Sequence, residues 1–185
     1  MQGHTVSYSQ STLTELMVPA YANFGGKIHG GTLLSLMDKV AYVCASKHAG
    51  NYCVTVSVDN VHFLEPAEVG ELVSMNASVN YVGKTSIVVG IRVTAENVQT
   101  RTEKHTNTCY FTMVAKDAEG IKAQVPPLIL ETEEEIRRFA SALRRRRLRR
   151  YATQRMDEYK EEFVVDKEVH AFLADERCHI QLKAS

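Results

Sequence analysis

Several signals that would assign this sequence to a special class are missing. The four cysteines stand singly, without the CxxC spacing of zinc knuckles or a spacing that suggests a disulfide framework. Lysine plus arginine and aspartate plus glutamate both number 22, so net charge indicates no class of partner. The apolar runs are too short to span a bilayer, and no secretory signal is visible at the N-terminus. We therefore expect a reduced, cytoplasmic protein without a metal site or a membrane contact.

The composition is that of an ordinary globular protein, with 44% apolar and 24% charged residues. A chain of 185 residues can form one domain with an appendage. The character of the sequence changes after Pro126-Pro127, where glutamates and then arginines accumulate. We expect one domain over residues 1–130 and an arginine-rich helical extension over residues 131–185, and the fold of residues 164–185 is left open.

One segment predicts a helix that is apolar around most of its circumference. Glycines mark a loop that ends at Gly31, and the helix runs from about Thr32 to Lys47. A surface helix carries a single apolar stripe, so this helix is expected to be enclosed by other structure. Its apolar residues are Leu33, Leu34, Leu36, Met37, Val40, Ala41, Val43, Cys44 and Ala45.

The remaining elements are patterned as strands. One is predicted from Ser11 to Val18, and at least four follow the helix, with apolar residues at every second position. The phase of the first of these shifts near Asn60, which suggests a bulge, and Gly83-Lys84 is typical of a tight hairpin. Strands joined by short turns pair antiparallel, and a single apolar helix needs a curved sheet around it. The pattern therefore favours an α+β hotdog fold, although other α+β folds remain possible.

The loop and the start of the helix also carry the candidate chemistry, in the segment Asn23 to Asp38. Gly30-Gly31 lets a ligand approach the free N–H groups of the first helical turn, which suit a developing negative oxygen. Asp38 follows about two turns later, and by periodicity alone it belongs to a polar stripe with Ser35, Lys39, Tyr42 and Ser46. Spacing does not separate a catalytic aspartate from a solvated one.

The combined motif Asn23-x-x-Gly26-x-Ile28-His29-Gly30-Gly31, followed by Met37-Asp38, resembles the acyl-CoA thioesterases of the hotdog superfamily. The bacterial hexameric enzymes and the brain-type cytosolic acyl-CoA hydrolase are the most similar groups. The resemblance covers residues 10 to about 130 and continues through five further segments: Val54 to Val58, Phe63 to Ala67, Val69 to Glu71, Val82 to Ser86 and Tyr110 to Ala115.

This resemblance implies hydrolysis of acyl-CoA to free fatty acid and CoA, without a cofactor. It implies that Asn23 and Asp38 form a catalytic pair contributed by opposite subunits, with Asp38 as general base or nucleophile. Gly31 or its neighbour Gly30 would stabilise the oxyanion, and His29 could line the site. A dimer is the implied minimal unit and a trimer of dimers the implied assembly. The acyl-chain length and regulation by nucleotides cannot be read from the sequence.

The phosphates of CoA need cationic and backbone donors. The segment Gly83-Lys84-Thr85-Ser86 matches the loop that lies near the CoA phosphates in this family, and Arg92 is a further candidate. An ordinary hairpin turn with an exposed lysine is the competing interpretation.

Eight arginines between Arg137 and Arg150 form the strongest compositional anomaly. They can form a solvated helix face paired with glutamates, or accompany an apolar face (Ile136, Phe139, Leu143) that packs on another subunit, or contact phosphates. We do not expect a nucleic-acid partner, because acidic residues flank the run and no aromatic residues interleave with it. The alternative to an enzyme is an acyl-CoA-binding regulatory hotdog protein.

Overall fold

The computed structural model describes residues 1–182, which form seven strands and four α-helices. A short 3₁₀ turn at Pro19–Tyr21 precedes the glycine-rich loop. In chain order the elements are β1 (His4–Thr5), α1 (Val6–Ser9), β2 (Ser11–Leu16), α2 (Gly30–Ala49), β3 (Tyr52–Val58), β4 (Leu72–Val82), β5 (Ser86–Asn97), β6 (Thr102–Lys116), β7 (Leu128–Ile129), α3 (Glu133–Glu162) and α4 (Lys167–Phe172).

Five strands form one antiparallel sheet in the order β2-β4-β5-β6-β3. The long helix α2 packs against all five, which is the α+β hotdog arrangement predicted from the sequence. The strand that follows α2 does not pair with its successor β4, because 13 residues separate them; β3 instead pairs with β6 and forms an edge of the sheet. The small strands β1 and β7 pair in parallel beside it.

Helix α2 is longer than predicted and is not enclosed on every side. It begins at Gly30, and it ends at Gly50, whose positive φ of 66° forms a left-handed C-cap with its N–H bonded to Ser46 O at 2.9 Å. Seven of the nine apolar residues named above are buried, but Leu34 is only partly buried and Val43 is 42% exposed. The expectation that other structure encloses α2 is therefore confirmed for most of its circumference, and the single chain leaves one side of the helix open.

The phase shift predicted near Asn60 has a different cause. Strand β3 ends at Val58, so Asn60 lies outside it, and the irregular pairing within β3 falls between Thr55 and Ser57. The alternation of Val61 and Phe63 therefore belongs to a loop, and the prediction of a bulge near Asn60 is wrong.

A second irregularity, at Asn80, reverses the faces of the sheet to which the last side chains of β4 point. Val79 pairs with Val89 but Tyr81 pairs with Val88, so Asn80 is an extra residue in β4. Tyr81 thereby leaves the face that carries Val79 and packs with Val88 on the other side of the sheet. The Asn80 amide lies over Gly90, where a Cβ would come within 2.2 Å of Asn80 Nδ2.

The first turns of α3 cover this outer patch. Helix α3 begins with a capping box, whose Thr-x-x-Glu spacing is visible in the sequence: Glu135 N–H donates to Thr132 Oγ1 at 3.2 Å, and Thr132 N–H donates to Glu135 Oε2 at 3.1 Å. Phe139 lies 5.1 Å from Tyr81 between ring centroids, and Leu143 joins the same cluster. These two side chains pack within their own chain, so the interpretation that placed them against another subunit is wrong.

The chain divides into two compact units, Met1–Leu143 and the segment from Arg144 onward. The second unit contains the rest of α3 and the short helix α4. Along α3, Arg137 and Arg138 both bond Glu134, and Arg155 bonds Glu158, as expected for a solvated helix face. The functional division at residue 130 stays a prediction. None of the helices within residues 1–182 is long and apolar enough to cross a membrane.

Candidate active site

Asn23 holds the tip of the loop before α2. Its Oδ1 accepts the N–H groups of Gly25 at 2.9 Å and Lys27 at 3.2 Å, and its backbone N–H donates to Lys27 O at 2.7 Å. Gly26 supplies the left-handed conformation that this turn needs, with φ of 75°. The Nδ2 group of Asn23 has no acceptor among the described residues. The side chain therefore orders its own turn with one atom and presents two N–H donors with the other.

Asp38 lies on the exposed side of α2, where it meets β3. Thr55 Oγ1 donates to Asp38 Oδ1 at 2.6 Å, and the same hydroxyl lies 3.1 Å from Met113 Sδ. This bond orients the carboxylate, and Oδ2 has no partner within residues 1–182. The sequence analysis did not single out Thr55, which lies inside the segment Val54 to Val58. The sequence feature that could have identified Thr55 is its position as the first polar side chain on the strand that directly follows the helix.

The side chain of His29, which the sequence analysis gave only as a residue that could line the site, caps the start of α2. His29 Nδ1 accepts the N–H of Gly31 at 2.9 Å, and His29 O accepts the N–H of Thr32 at 2.9 Å. The Gly31 N–H is therefore occupied, whereas the Gly30 N–H has no acceptor among the described residues. Of the two glycines predicted as oxyanion donors, Gly30 is therefore the one whose N–H is unoccupied in the described chain, and His29 caps the helix beside it.

A groove of about 460 Å³ adjoins Asp38 between α2 and β3. Its walls are largely apolar or aromatic, and Tyr42, Val43 and Tyr52 are between 41% and 58% exposed. Such a surface suits an acyl chain or the apolar contacts of a second subunit. The residues that line it are Asp38, Lys39, Tyr42, Val43, Tyr52, Cys53, Val54, Thr55 and Met113.

The cysteines near the helix are not suited to act as nucleophiles. Burial raises the pKa of the Cys53 thiol in the groove, and burial raises that of Cys109 to about 12. Only the thiolate is a strong nucleophile, so both groups are inert at neutral pH. Asp38 is the one carboxylate among the residues that line the groove.

The helix start and Asp38 are too far apart to serve one carbonyl group within a single chain. Gly30 and Asp38 are eight residues apart on α2, which is about 12 Å at the rise of an α-helix. No hydrogen bond or ion pair joins Asn23 to Asp38 among residues 1–182. One chain thus carries two half-sites, an acidic one at Asp38 and a donor-bearing one at Asn23 and Gly30.

The predicted CoA-binding loop lies on the same row of the sheet as the acidic half-site. Thr55 pairs with Met113, and Met113 pairs with Ile87, next to Ser86. Strands β3 and β5 lie on either side of β6, so Thr55 and the start of β5 at Ser86 are two strand spacings apart, about 10 Å. The turn of Gly83, Lys84, Thr85 and Ser86 is held by Gly83 N–H donating to Ser86 O at 2.7 Å, and Lys84 is exposed.

Arg92 does not join that turn. It is six residues further along β5, about 20 Å at the rise of a strand, and exposed between Asn76 and Thr108. Within residues 1–182 no group of three or more His, Cys, Asp or Glu side chains could hold a metal ion.

Comparison with known proteins identifies the family of this chain. Residues 25–102 match the model of the family described as "Thioesterase superfamily". Protein VdlD of Helicobacter pylori is 47% identical over 78% of this chain and 83% of its own length. The chain belongs to the thioesterase superfamily. The cytosolic acyl coenzyme A thioester hydrolase of Rattus norvegicus is 34% identical over 74% of this thioesterase-superfamily chain, which spans 36% of that longer protein.

Solved structures agree with this assignment. An apo-hexameric acyl-CoA thioesterase superposes with a TM-score of 0.80 at 35% identity, covering 83% of this chain and 98% of its own. The acyl-CoA hydrolase of Staphylococcus aureus, solved with butyryl coenzyme A and coenzyme A, gives 0.76 at 30% identity over 86% and 99%.

Further structures of the Staphylococcus aureus enzyme carry single changes to alanine at an asparagine, an aspartate and a threonine, separated by 15 and 17 residues. Asn23, Asp38 and Thr55 have the same residue types at the same separations.

Proposed function

We propose that this chain hydrolyses acyl-CoA thioesters to a free fatty acid and CoA, at sites shared between two subunits. The observation that carries the proposal is the pair of half-sites about 12 Å apart on one chain. Neither half is a complete hydrolytic site alone. The matching asparagine, aspartate and threonine of an enzyme solved with butyryl coenzyme A support the choice of substrate.

In the proposed reaction Asp38 Oδ2 takes a proton from a water molecule, whose oxygen attacks the thioester carbonyl. In this proposal Asp38 acts as the base rather than as the nucleophile. The N–H groups of Asn23 Nδ2 and Gly30 donate to the developing oxyanion. The C–S bond then breaks and CoA leaves as the thiolate, which needs little help from an acid. A positioned base contributes about 10²–10⁴-fold and one oxyanion donor about 10²–10³-fold.

A second copy of the chain supplies the missing half-site. Strand β3 is an edge strand, and Val56 and Val58 along it are 55% and 41% exposed. Pairing of two β3 edges would extend the sheet and cover these valines together with the open side of α2. Three such dimers would form a hexamer, the state named for one of the solved relatives.

The nucleotide end of CoA binds at the turn Gly83–Ser86 in this proposal, with Lys84 as the cation. Its phosphates would accept hydrogen bonds from Lys84 Nζ and Ser86 Oγ. Arg92 serves as a separate and more distant candidate for phosphate contact. No cofactor takes part. Since one relative carries the name cytosolic, we also propose that the chain works in the cytoplasm.

The decisive measurement is CoA release from acyl-CoA substrates by wild type, Asp38→Asn and Asn23→Asp. Asn23→Asp keeps the oxygen that accepts from Gly25 and Lys27 but removes the Nδ2 donors, so it isolates chemistry from loop structure. We expect each variant to lose about 10²-fold or more in kcat. Turnover within threefold of wild type in Asp38→Asn would remove Asp38 from the mechanism. Binding of acyl-CoA with no turnover by wild type would instead support a regulatory protein.

The shared site has its own test. Co-expression of Asn23→Asp and Asp38→Asn subunits should restore activity, because half of the sites in a mixed dimer then carry both intact residues. A mixture as inactive as its parents, with mixed oligomers present in a pull-down, would mean that Asn23 and Asp38 act within one subunit.

A further inference from the structure

Phe24 stands at the tip of the loop next to Asn23, and none of the described residues covers it. Its relative exposure is 114%, higher than that of any other large apolar side chain in the described chain. The loop beneath it is ordered by the bonds of Asn23, by the Ala22–Ile28 bridge and by the ion pair of Lys27 with Glu68. The ring is therefore held out on an ordered turn with its apolar surface exposed.

The position of this ring in an assembled site follows from chain geometry, and it rests on the function proposed above. Asn23 Nδ2 must approach the carbonyl group of a substrate whose water is activated by Asp38 of a second copy. The Cα atoms of residues 23 and 24 are about 3.8 Å apart, so Phe24 must also lie within roughly 10 Å of that carbonyl. The surface beside Asp38 is the apolar groove of Tyr42, Val43 and Val54.

We infer that Phe24 of one subunit forms a wall of the acyl-chain site on the other subunit, against the groove beside Asp38. The ring would bury its own exposed surface and close the open side of the groove over the acyl chain. Phe24 is then a residue that determines specificity, contributed in trans. It touches substrates that are long enough to reach it, and an acetyl group does not.

The test compares wild type, Phe24→Ala and Phe24→Leu on acyl-CoA substrates from two to sixteen carbons. We expect Phe24→Ala to lose about tenfold or more in kcat/KM on medium and long chains, mainly through KM, and less than twofold on acetyl-CoA. Phe24→Leu should recover most of the loss. Equal losses at every chain length would indicate contact with CoA instead, and an unchanged profile would remove Phe24 from the site. Either result overturns the inference.

Val98→Ala is the matched control. Val98 is also exposed, at 53%, and follows an asparagine whose Oδ1 holds the turn, since Asn97 Oδ1 accepts the N–H groups of Gln99 and Thr100. This turn lies at the end of β5 opposite to Ser86, away from the Thr55 row. Its variant should keep the chain-length profile of wild type, and a changed profile would show that any exposed turn residue has the same effect.

Mixed oligomers test the assignment to the partner subunit. With Asp38→Asn subunits in excess over Phe24→Ala subunits, the active sites combine the intact Asp38 of the Phe24→Ala subunit with the intact Phe24 of its partner. A wild-type chain-length profile is expected, and the Phe24→Ala profile would place the ring in cis. If wild type binds acyl-CoA without turnover, the proposed function fails whatever the Phe24 variants do. If Asn23→Asp and Asp38→Asn retain activity, only the assignment of the catalytic pair fails.

Discussion

Replacement of Thr55 by valine tests how much the acidic half-site depends on one hydrogen bond. Valine keeps the β-branched shape that suits the β3 edge strand, and it removes only the hydroxyl that lies 2.6 Å from Asp38 Oδ1. The carboxylate stays in place on α2 but loses the group that orients it. We expect kcat to fall and KM to change little, because Thr55 acts through Asp38 and not on the acyl-CoA itself.

The size of the effect follows from the kind of bond that is lost. Hydrogen bonds to charged groups contribute about 1.5–3 kcal/mol, and both partners here are exposed, which favours the lower end. A loss of about 1.5–2 kcal/mol in the transition state corresponds to roughly 10–30-fold in kcat. The assay is continuous detection of free CoA thiol, with thermal unfolding as a check that the fold is intact.

Thr55→Ser is the control, since it retains the hydroxyl and should remain within about threefold of wild type. The reasoning fails if Thr55→Val keeps at least half of the wild-type kcat. It also fails if Thr55→Ser loses as much activity as Thr55→Val, because the methyl group and not the hydroxyl would then matter.

Three further predictions concern stability. The His48 side chain is fully buried, and its Nε2 bonds Pro126 O at 3.1 Å. Burial lowers the pKa of His48 in the folded protein. The stabilising effect of the neutral ring is therefore complete above the unfolded-state pKa, near 6.5, and is lost as pH falls toward the lower folded-state pKa. Urea titrations from pH 5 to 8 should show up to about 1.4 kcal/mol more loss per pH unit for wild type than for His48→Gln, and parallel curves would contradict this. Phe139→Ala should cost about 2–3 kcal/mol in urea unfolding because it uncovers Tyr81, whereas Ile136→Ala, at 55% exposure on the same helix, should cost under about 0.5 kcal/mol. Gly90→Ala should cost about 1–3 kcal/mol, since its Cβ would meet Asn80 Nδ2 at 2.2 Å, and the double variant with Asn80→Ala should be less destabilised than the two single costs added together.

The sequence was informative about elements whose signals are local. The apolar periodicity of Leu33 to Ala45 and the alternation along β4 to β6 are enough to predict a helix against an antiparallel sheet. The capping box of Thr132 and Glu135 has an equally local signal, and the structure contains it. Turn and cap chemistry acts over three or four residues, which a single sequence displays directly.

Long-range features were not readable in the same way. The extra residue at Asn80 leaves the alternation of Val79 and Tyr81 unbroken in the sequence, yet it sends Tyr81 to the opposite face. Similarly, Thr55 meets Asp38 only because β3 pairs with β6 at the edge beside α2. The occupied N–H of Gly31 depends on a rotamer of His29. The catalytic assignment of Asn23 and Asp38 came from family resemblance, and it stays a proposal.

The extra residue Asn80, which sends Tyr81 to the outer face of the sheet, has a practical consequence for shortened forms of the protein. Removing the arginine-rich extension at residue 130 would also remove Phe139, Ala142 and Leu143, which cover Tyr81 and Val88. The remaining chain would expose an aromatic patch on the outside of its sheet and would tend to aggregate. A truncation placed just after Leu143, where the first compact unit ends, keeps that cover and offers a cleaner way to ask what the arginines do.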